Sequence, residues 1–248
     1  ADDLYTETSI NMLKVATYFN MHLFDRVIEF CDSIEHNETV KHRYPRGYYT
    51  MLSYRAEAYM NKGKYRLAMK YAKDVYDAGM ALIAKGQNSG GSRSEVINGK
   101  TIVAAAIETI SIAYTNIGRL DLATEYIDNG IRMCAEDMDS LYISHIELYH
   151  YKNKAFIDNY VAGTDKSFIE DYIQAIEDYR KRMGLRVTAN DAIVFMAEVY
   201  LAKLKIAIVE DDKIEAARLM NEIDKLYSES DALEYLKLDY LSIKAEYC

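Results

Sequence analysis

The chain contains one fourteen-residue segment twice, and this internal repeat constrains the fold more than any other feature. Residues 58–71 (AYMNKGKYRLAMKY) align without a gap on residues 113–126 (AYTNIGRLDLATEY), and seven of the fourteen positions are identical. Repetition of this kind indicates an array of similar structural units, each packed against the next. Such arrays mostly build binding surfaces, so the repeat favours a binding function over catalysis.

Each copy predicts a helix, a tight turn and a second helix. Leu52, Ala56 and Tyr59 recur at helical spacing on one face. Gly63 then ends the helix, because glycine readily takes the left-handed conformation that follows a last helical turn. The small residues Ala56 and Ala68 would let the two facing backbones approach closely. The composition agrees, since a chain with one proline and eleven glycines favours long helices over many short strands.

Weaker copies extend the pattern along the chain. We therefore predict an all-α protein of about five helical hairpins with a terminal helix at 231–248, the hairpins lying at about 9–36, 50–79, 105–134, 139–183 and 190–228. We interpret this array as a single domain over 1–248. Residues 241–246 (LSIKAE) match the hairpin start at 52–57 (LSYRAE), which favours a fragment of a longer protein. A solvating cap helix is the alternative interpretation.

One segment breaks the pattern between the second and third hairpins. Residues 85–94 (KGQNSGGSRS) are rich in glycine and serine, a composition that is typical of a flexible linker. The segment predicts either a surface loop or a mobile lid over a groove.

The hairpin positions resemble the tetratricopeptide repeat pattern. The first strong copy carries its bulky, small, aromatic, turn, aromatic and small positions as Leu52, Ala56, Tyr59, Gly63, Tyr65 and Ala68. The second carries them as Ile107, Ser111, Tyr114, Gly118, Leu120 and Ala123. The resemblance is strong at 50–79 and 105–134, moderate at 9–36 and weak over 139–228. The chain departs from the family in lacking the tryptophan and the closing proline.

The resemblance implies a right-handed α-α superhelix whose concave groove, lined by the first helix of each hairpin, binds a protein or peptide without catalysis. The chain has 23 tyrosines and no tryptophan, and in this it also resembles the sensor portions of bacterial membrane-anchored regulators. The implied function is the sensing or partner-binding part of a bacterial signalling protein. That resemblance favours the periplasm, whereas three free cysteines are more typical of a reducing cytoplasm, so both compartments stay open.

Three asparagines occupy one position in successive hairpins, two residues before the turn: Asn20, Asn61 and Asn116. An asparagine amide both donates and accepts hydrogen bonds, so a ladder of them would capture the backbone of an extended peptide. The alternative is local, since asparagine near a helix end helps to terminate the helix. Helical spacing predicts further groove residues on the face of this ladder: Tyr54, Glu57 and Thr109.

The charge distribution supports a second hypothesis. The net charge is −9, yet the segment 41–73 carries nine basic residues and one acid, Glu57. Such a segment would dock the acidic tail of a partner and make the chain a free-standing adaptor or a co-chaperone-type scaffold. Arg55 and Lys62 are the candidate contacts with an acidic partner.

No residue pattern indicates an enzyme, a cofactor or a metal site. His145 and His150 are five residues apart, whereas spacings of three or four place two ligands on one helical face. The cysteines Cys31, Cys134 and Cys248 have the spacing of neither a metal site nor a disulfide framework. The acidic net charge argues against nucleic-acid binding. We also expect no apolar run as long as a membrane span.

Overall fold

A computed structural model of the chain describes residues 2–88, 90–183, 189–229, 233 and 236–247. These residues contain twelve α-helices and no strand, which confirms the all-α prediction. The helices are α1 (Asp2–Asn20), α2 (Phe24–Ile34), α3 (Glu38–Arg43), α4 (Pro45–Asn61), α5 (Tyr65–Gln87), α6 (Arg93–Asn116), α7 (Leu120–Ala135), α8 (Met138–Asp158), α9 (Ser167–Met183), α10 (Ala189–Val209), α11 (Lys213–Glu229) and α12 (Lys237–Tyr247).

The chain divides into two compact units, residues 1–151 and 152–248, where the sequence analysis expected one domain. In the first unit, α1 packs against α2, α3 against α4, α4 against α5, α5 against α6 and α6 against α7, and α4 also contacts α1, α2 and α6. In the second unit, α10 packs against α9, α11 and α12. The boundary falls within α8, whose residues up to Tyr151 belong to the first unit. Each unit is therefore described by itself.

Three hairpin turns of the first unit share one backbone conformation. His22, Gly63 and Gly118 have positive φ angles of 56°, 68° and 73°. The amide after each of them donates to the carbonyl five residues earlier, at 2.8 to 2.9 Å, and this bond closes a helix C-terminus. The hairpin turns predicted at these positions are therefore confirmed, and His22 takes the conformation that glycine takes in the other two.

The identical tyrosines of the repeat pack on each other. Tyr59 stacks on Tyr71 with ring centroids 5.4 Å apart, and Tyr114 stacks on Tyr126 at 5.8 Å. Each pair joins the two helices of one hairpin, so the same seam is built twice. Aromatic pairs of this kind contribute about 0.5–1.5 kcal/mol beyond the burial of their area. The repeated residues thus explain the local packing of the hairpins.

The prediction of a flexible linker over residues 85–94 is wrong. Helix α5 continues to Gln87 and α6 begins at Arg93, so half of the segment is helical and the other half is the short connection 88–92, of which Ser89 lies outside the described residues. Ser92 caps α6 through a reciprocal pair of hydrogen bonds with Glu95. Gly86 allows close contact with Ser92 and Val96, whereas Gly90 has a positive φ of 98° in the turn.

The two helices that flank this turn pack backbone to backbone. A Cβ on Gly79 of α5 would lie 2.9 Å from the carbonyl oxygen of Gly99, and one on Gly99 would lie 2.7 Å from the carbonyl oxygen of Gly79. Any larger residue at either position would force the helices apart. The tetratricopeptide pattern did not predict this close approach of α5 and α6.

Two further features qualify the predicted hairpins. The short helix α3 lies between the first two hairpins and was not predicted. The hairpins predicted at 139–183 and 190–228 correspond to α8–α9 and α10–α11, with left-handed residues Gly163 and Asp211 in their turns. The predicted terminal helix at 231–248 corresponds to α12, while residues 231, 232, 234, 235 and 248 lie outside the described residues.

Helix α6 is the central helix of the first unit. It has the length and mean hydropathy of a membrane span, 1.4 over its best 18-residue window, contrary to the expectation that no run would reach that length. However, 61% of that window is buried against the protein itself. Packing against α4, α5 and α7 accounts for the apolar composition of α6.

Candidate functional site

A cavity of about 480 Å³ lies in the first unit between α1, α4, α6 and α8. Its rim includes residues that are exposed to solvent, among them Asn20, Ser140 and Ile143. The wall contains both apolar and polar side chains, a combination that is typical of ligand-binding cavities. The cavity is therefore our candidate binding site.

Each lining helix contributes a stripe of side chains at helical spacing. On α4 the stripe runs through Arg46, Thr50, Tyr54 and Glu57. On α6 it includes Thr101, Ala105 and Glu108, and on α8 it includes Ser140, Ser144, Glu147 and Tyr151. Positions three and four apart share a helical face, so one face of each helix looks into the cavity.

Three carboxyl groups from three helices line the cavity: Glu57, Glu108 and Glu147. Burial raises the pKa of Glu57 well above its usual value, and the negative charge of Glu108 adds to the effect. The Tyr151 hydroxyl donates a hydrogen bond to Oε1 of Glu108. Burial and the same hydrogen bond raise the pKa of Tyr151, so the phenol keeps its proton and acts as a donor.

Glu147 is exposed to solvent and yet closely surrounded by protein, because its carboxyl lies in a concave wall. Desolvation raises its pKa to about 7, with a further contribution from Glu108. His150, one turn further along α8, acts in the opposite direction. A carboxyl that titrates near neutral pH in a cavity marks a candidate functional site.

The aromatic part of the wall is built by Phe19 and Tyr54, whose ring centroids are 5.3 Å apart. Burial raises the pKa of Tyr54, and the charges of Glu57, Glu108 and Glu147 add to this shift. The Tyr54 side chain is therefore neutral at physiological pH and lies within the field of all three carboxyl groups.

The structure places only some of the predicted groove residues at the cavity. Asn20, Tyr54 and Glu57 line it. Asn61 is exposed, and its Nδ2 donates to the backbone oxygen of Glu57 at 3.0 Å, as in the local helix-end alternative. Asn116 is also exposed and does not line the cavity. The three asparagines thus do not meet at this cavity.

Thr109 also lies away from the cavity. It is 1% exposed, and its buried Oγ1 has no hydrogen-bond partner within the part of the chain that the structure describes. Thr109 therefore lies on a buried face of α6 and not on the predicted groove face, whereas its neighbour Glu108 lines the cavity.

The two candidate contacts for an acidic partner are used within the protein. Arg55 is 3% exposed and donates to Asp32 at 2.9 Å and Glu35 at 3.0 Å, with its guanidinium 3.9 Å from the ring centroid of Tyr71. Lys62 forms an ion pair with Asp25. A buried guanidinium held by two carboxylates is a structural element of the core and not a docking surface.

Sequence reasoning missed Glu108, Glu147, Tyr151 and Arg46. The signal for Glu108 is present, since it is the one charged residue between positions 101 and 118. An isolated charge on a long apolar helix needs a cavity or a partner to be tolerated. Neither the cavity nor the other two carboxyl groups could be located without the packing of α4 and α8 against α6.

Within the described ranges, no group of three or more His, Cys, Asp or Glu side chains has an arrangement that could hold a metal ion. In comparisons with known proteins, no family model, no curated protein and no solved structure matches the chain.

Proposed function

We propose that the chain is a non-catalytic binding domain of the tetratricopeptide type, and that a protein or peptide ligand binds in the cavity of its first unit. The observation that carries the proposal is the convergence of α1, α4, α6 and α8 on one cavity. Three of these are the first helices of successive hairpins, and α8 follows the third hairpin. In the right-handed superhelix that we propose, these helices line the concave side.

The resemblance to sensor domains extends this proposal to a wider role. We infer that the chain is the sensing or partner-binding part of a bacterial signalling protein. The tyrosine-rich seams and the irregular helix α3 are the features that support this inference. No catalytic role is proposed, because the cavity contains tyrosine and glutamate side chains but no activated nucleophile beside a base.

The adaptor that docks acidic tails is the less favoured alternative. Lys41, Arg55 and Lys62 of the basic segment pair with carboxylates of the protein itself. Lys64, Arg66 and Lys73 of the same segment remain exposed. An acidic partner would therefore contact the outer surface of α5, and its binding would weaken steeply with added salt.

A random-peptide display library would test the proposal. Peptides selected on the whole chain should lose binding when the cavity is filled by Ser144→Trp or Ala105→Trp, because both positions line its wall. Ala135→Trp is the matched control, since Ala135 is exposed on α7 outside the cavity. Thermal unfolding would verify that each variant is folded. Peptides that bind all three variants equally would contradict the proposal.

A further inference from the structure

The charge of the cavity defines the class of ligand, an inference that rests on the proposed function. We propose that the cavity of the first unit takes a basic side chain of a peptide, arginine or lysine, between the carboxyl groups of Glu57, Glu108 and Glu147.

The carboxyl group of Glu57 is enclosed by the protein without a partner among the described residues. It forms no hydrogen bond or ion pair with them, although protein surrounds it closely. Enclosing a charged carboxylate without a partner carries an energetic cost, because the ion loses its hydration and gains no opposite charge. Its electrostatic neighbour is a second carboxyl, Glu108, which increases this cost. A cation between them would reverse the sign of the interaction.

Among the described residues that line the cavity, Arg46 is the one lysine or arginine. The α1 residues on the wall, Met12, Phe19 and Asn20, carry no charge. On α4 the one basic residue of the lining is Arg46, eleven residues from Glu57 and therefore about 16 Å away along the helix. The lining part of α6 contributes only Glu108.

Helix α8 also carries His150, whose charge lowers the pKa of Glu147 and so opposes the effect of desolvation. Tyr151 supplies a neutral donor to Glu108. When its carboxyl groups are ionised at alkaline pH, the cavity lining therefore carries an excess of negative charge.

The shape and lining of the cavity favour a side chain over a bare ion. A volume of about 480 Å³ exceeds what a single ion needs, and the carboxyl groups do not form a metal-binding group. The rings of Phe19 and Tyr54 offer an apolar surface beside the carboxylates. Arginine and lysine combine an apolar stem with a cationic end, and a guanidinium also stacks on aromatic faces.

Binding of a cation must release protons from this site. The pKa of Glu147 is about 7 and that of Glu57 is also raised, so the empty cavity holds protons on carboxyl groups near neutral pH. A basic side chain favours the ionised carboxylates and displaces those protons. Affinity should therefore rise with pH, by up to about tenfold per unit for each proton released.

Calorimetric titration with three peptides tests the inference on the whole chain. The probes are acetyl-Gly-Ala-Arg-Ala-Gly-amide, the same peptide with lysine, and the same peptide with citrulline, the neutral analogue of arginine. We expect the arginine and lysine peptides to bind at least about tenfold more tightly than the citrulline peptide at pH 8, one charge pair being worth about 1.4 kcal/mol or more. Their affinity should fall between pH 8 and pH 6.

Charge-neutral variants localise the effect. Glu57→Gln and Glu147→Gln should each weaken the arginine peptide about tenfold, and Glu147→Gln should also flatten the pH dependence. Glu125→Gln on α7 removes the same charge from an exposed position and should change neither. Glutamine has nearly the volume of glutamate, and thermal unfolding shows whether each variant is folded. A loss of affinity in a folded variant therefore reports the loss of the charge.

The outcomes distinguish this inference from the proposed function. Equal affinity for the citrulline and arginine peptides, or no detectable binding of either, would overturn the cationic specificity. Library peptides that need the open cavity but lack basic residues would do the same and leave the proposed function standing. A library without any cavity-dependent peptide would overturn the function itself.

Discussion

The carboxyl group of Glu147 couples folding to pH. Its pKa is raised to about 7 by desolvation, so the folded chain binds this proton more tightly than the unfolded chain, in which the usual value is 4.5. The group therefore favours the folded state most below pH 4.5. That contribution is lost as the pH rises from about 4.5 to about 7.

Above pH 7 the folded chain holds an ionised and partly desolvated Glu147 carboxylate, which lowers its stability. Replacement of Glu147 by glutamine should remove this unfavourable contribution. We expect Glu147→Gln to raise the free energy of unfolding at pH 8 by on the order of 1 kcal/mol, an amount discounted because the group touches solvent. At pH 5 the gain should be smaller. Urea unfolding at both pH values measures the difference, with Glu125→Gln as the control. A larger gain at pH 5 would show that the carboxyl is not desolvated as described.

Arg55 of α4 is a buried charged residue that pairs with Asp32 of α2 and with Glu35, which follows α2. Arg55→Ala should lower the free energy of unfolding by about 3 kcal/mol, the lower end for breaking a buried pair, because Asp32 and Glu35 are partly exposed and regain water. Arg55→Lys should lose less, since lysine keeps the charge but not the two-pronged geometry. The exposed Arg66→Ala should stay within about 0.5 kcal/mol. A loss for Arg55→Ala within that range would mean that the pair adds nothing to stability.

At the scale of the element, the hairpin turns separate backbone from side-chain effects. Nothing lies within 4 Å of a Cβ placed on Gly63, so Gly63→Ala costs only the left-handed backbone conformation, at φ 68°. We expect a loss of about 1 kcal/mol. His22→Ala is the matched control, because His22 already holds this conformation without being glycine, and it should be close to neutral. Equal losses at both turns in chemical denaturation would contradict the assignment.

Helix packing sets a second element-scale rule, that small residues mark close approaches. The alanines predicted to allow close contact, Ala56 and Ala68, are both fully buried. Gly79 and Gly99 allow close contact in the same way, and so does Gly86 of α5, although the segment around Gly86 predicted a flexible linker. Composition alone does not distinguish a glycine that permits motion from one that permits contact. The difference lies in the partner helix.

At the scale of the whole molecule, the two largest apolar clusters among the described residues of the first unit meet in α6. Cys31 belongs to the cluster that includes Ile102, and Cys134 to the cluster that includes Val103. Ile102 and Val103 are adjacent in α6, and each of them belongs to one of these two clusters. We infer that the first unit opens as one cooperative body, although repeat arrays often open locally.

The two buried thiols report on that cooperativity. Burial raises the pKa of Cys31 and Cys134 to about 12, so neither should react with a thiol reagent until the unit opens. One variant combines Cys248→Ser with Cys134→Ser and keeps Cys31, and the other combines Cys248→Ser with Cys31→Ser and keeps Cys134. We expect the labelling rates of the two remaining thiols to agree within about threefold. Mass spectrometry of the labelled chain measures both rates. Much faster labelling of Cys31 would show that the first hairpin opens alone.

The sequence predicted the helical class and the hairpin turns well, for a local reason. A hairpin turn needs one residue in the left-handed conformation after the last helical turn, and glycine adopts that conformation readily. Gly63 and Gly118 therefore predict their turns without reference to distant residues. The linker prediction failed because glycine has two uses. Of the predicted asparagine ladder, Asn61 and Asn116 do not line the cavity, because a position before a turn does not fix which face of the helix points toward the cavity.

What the sequence by itself determined is therefore the set of elements: helices, their turns and the seams between paired tyrosines, all built from residues close together in the chain. Only the tertiary structure decided the site. Glu57, Glu108 and Glu147 lie on three different helices, and their convergence depends on how α4, α6 and α8 are rotated and packed. Helical periodicity fixes a face within each helix, but the meeting of faces is set by contacts between helices.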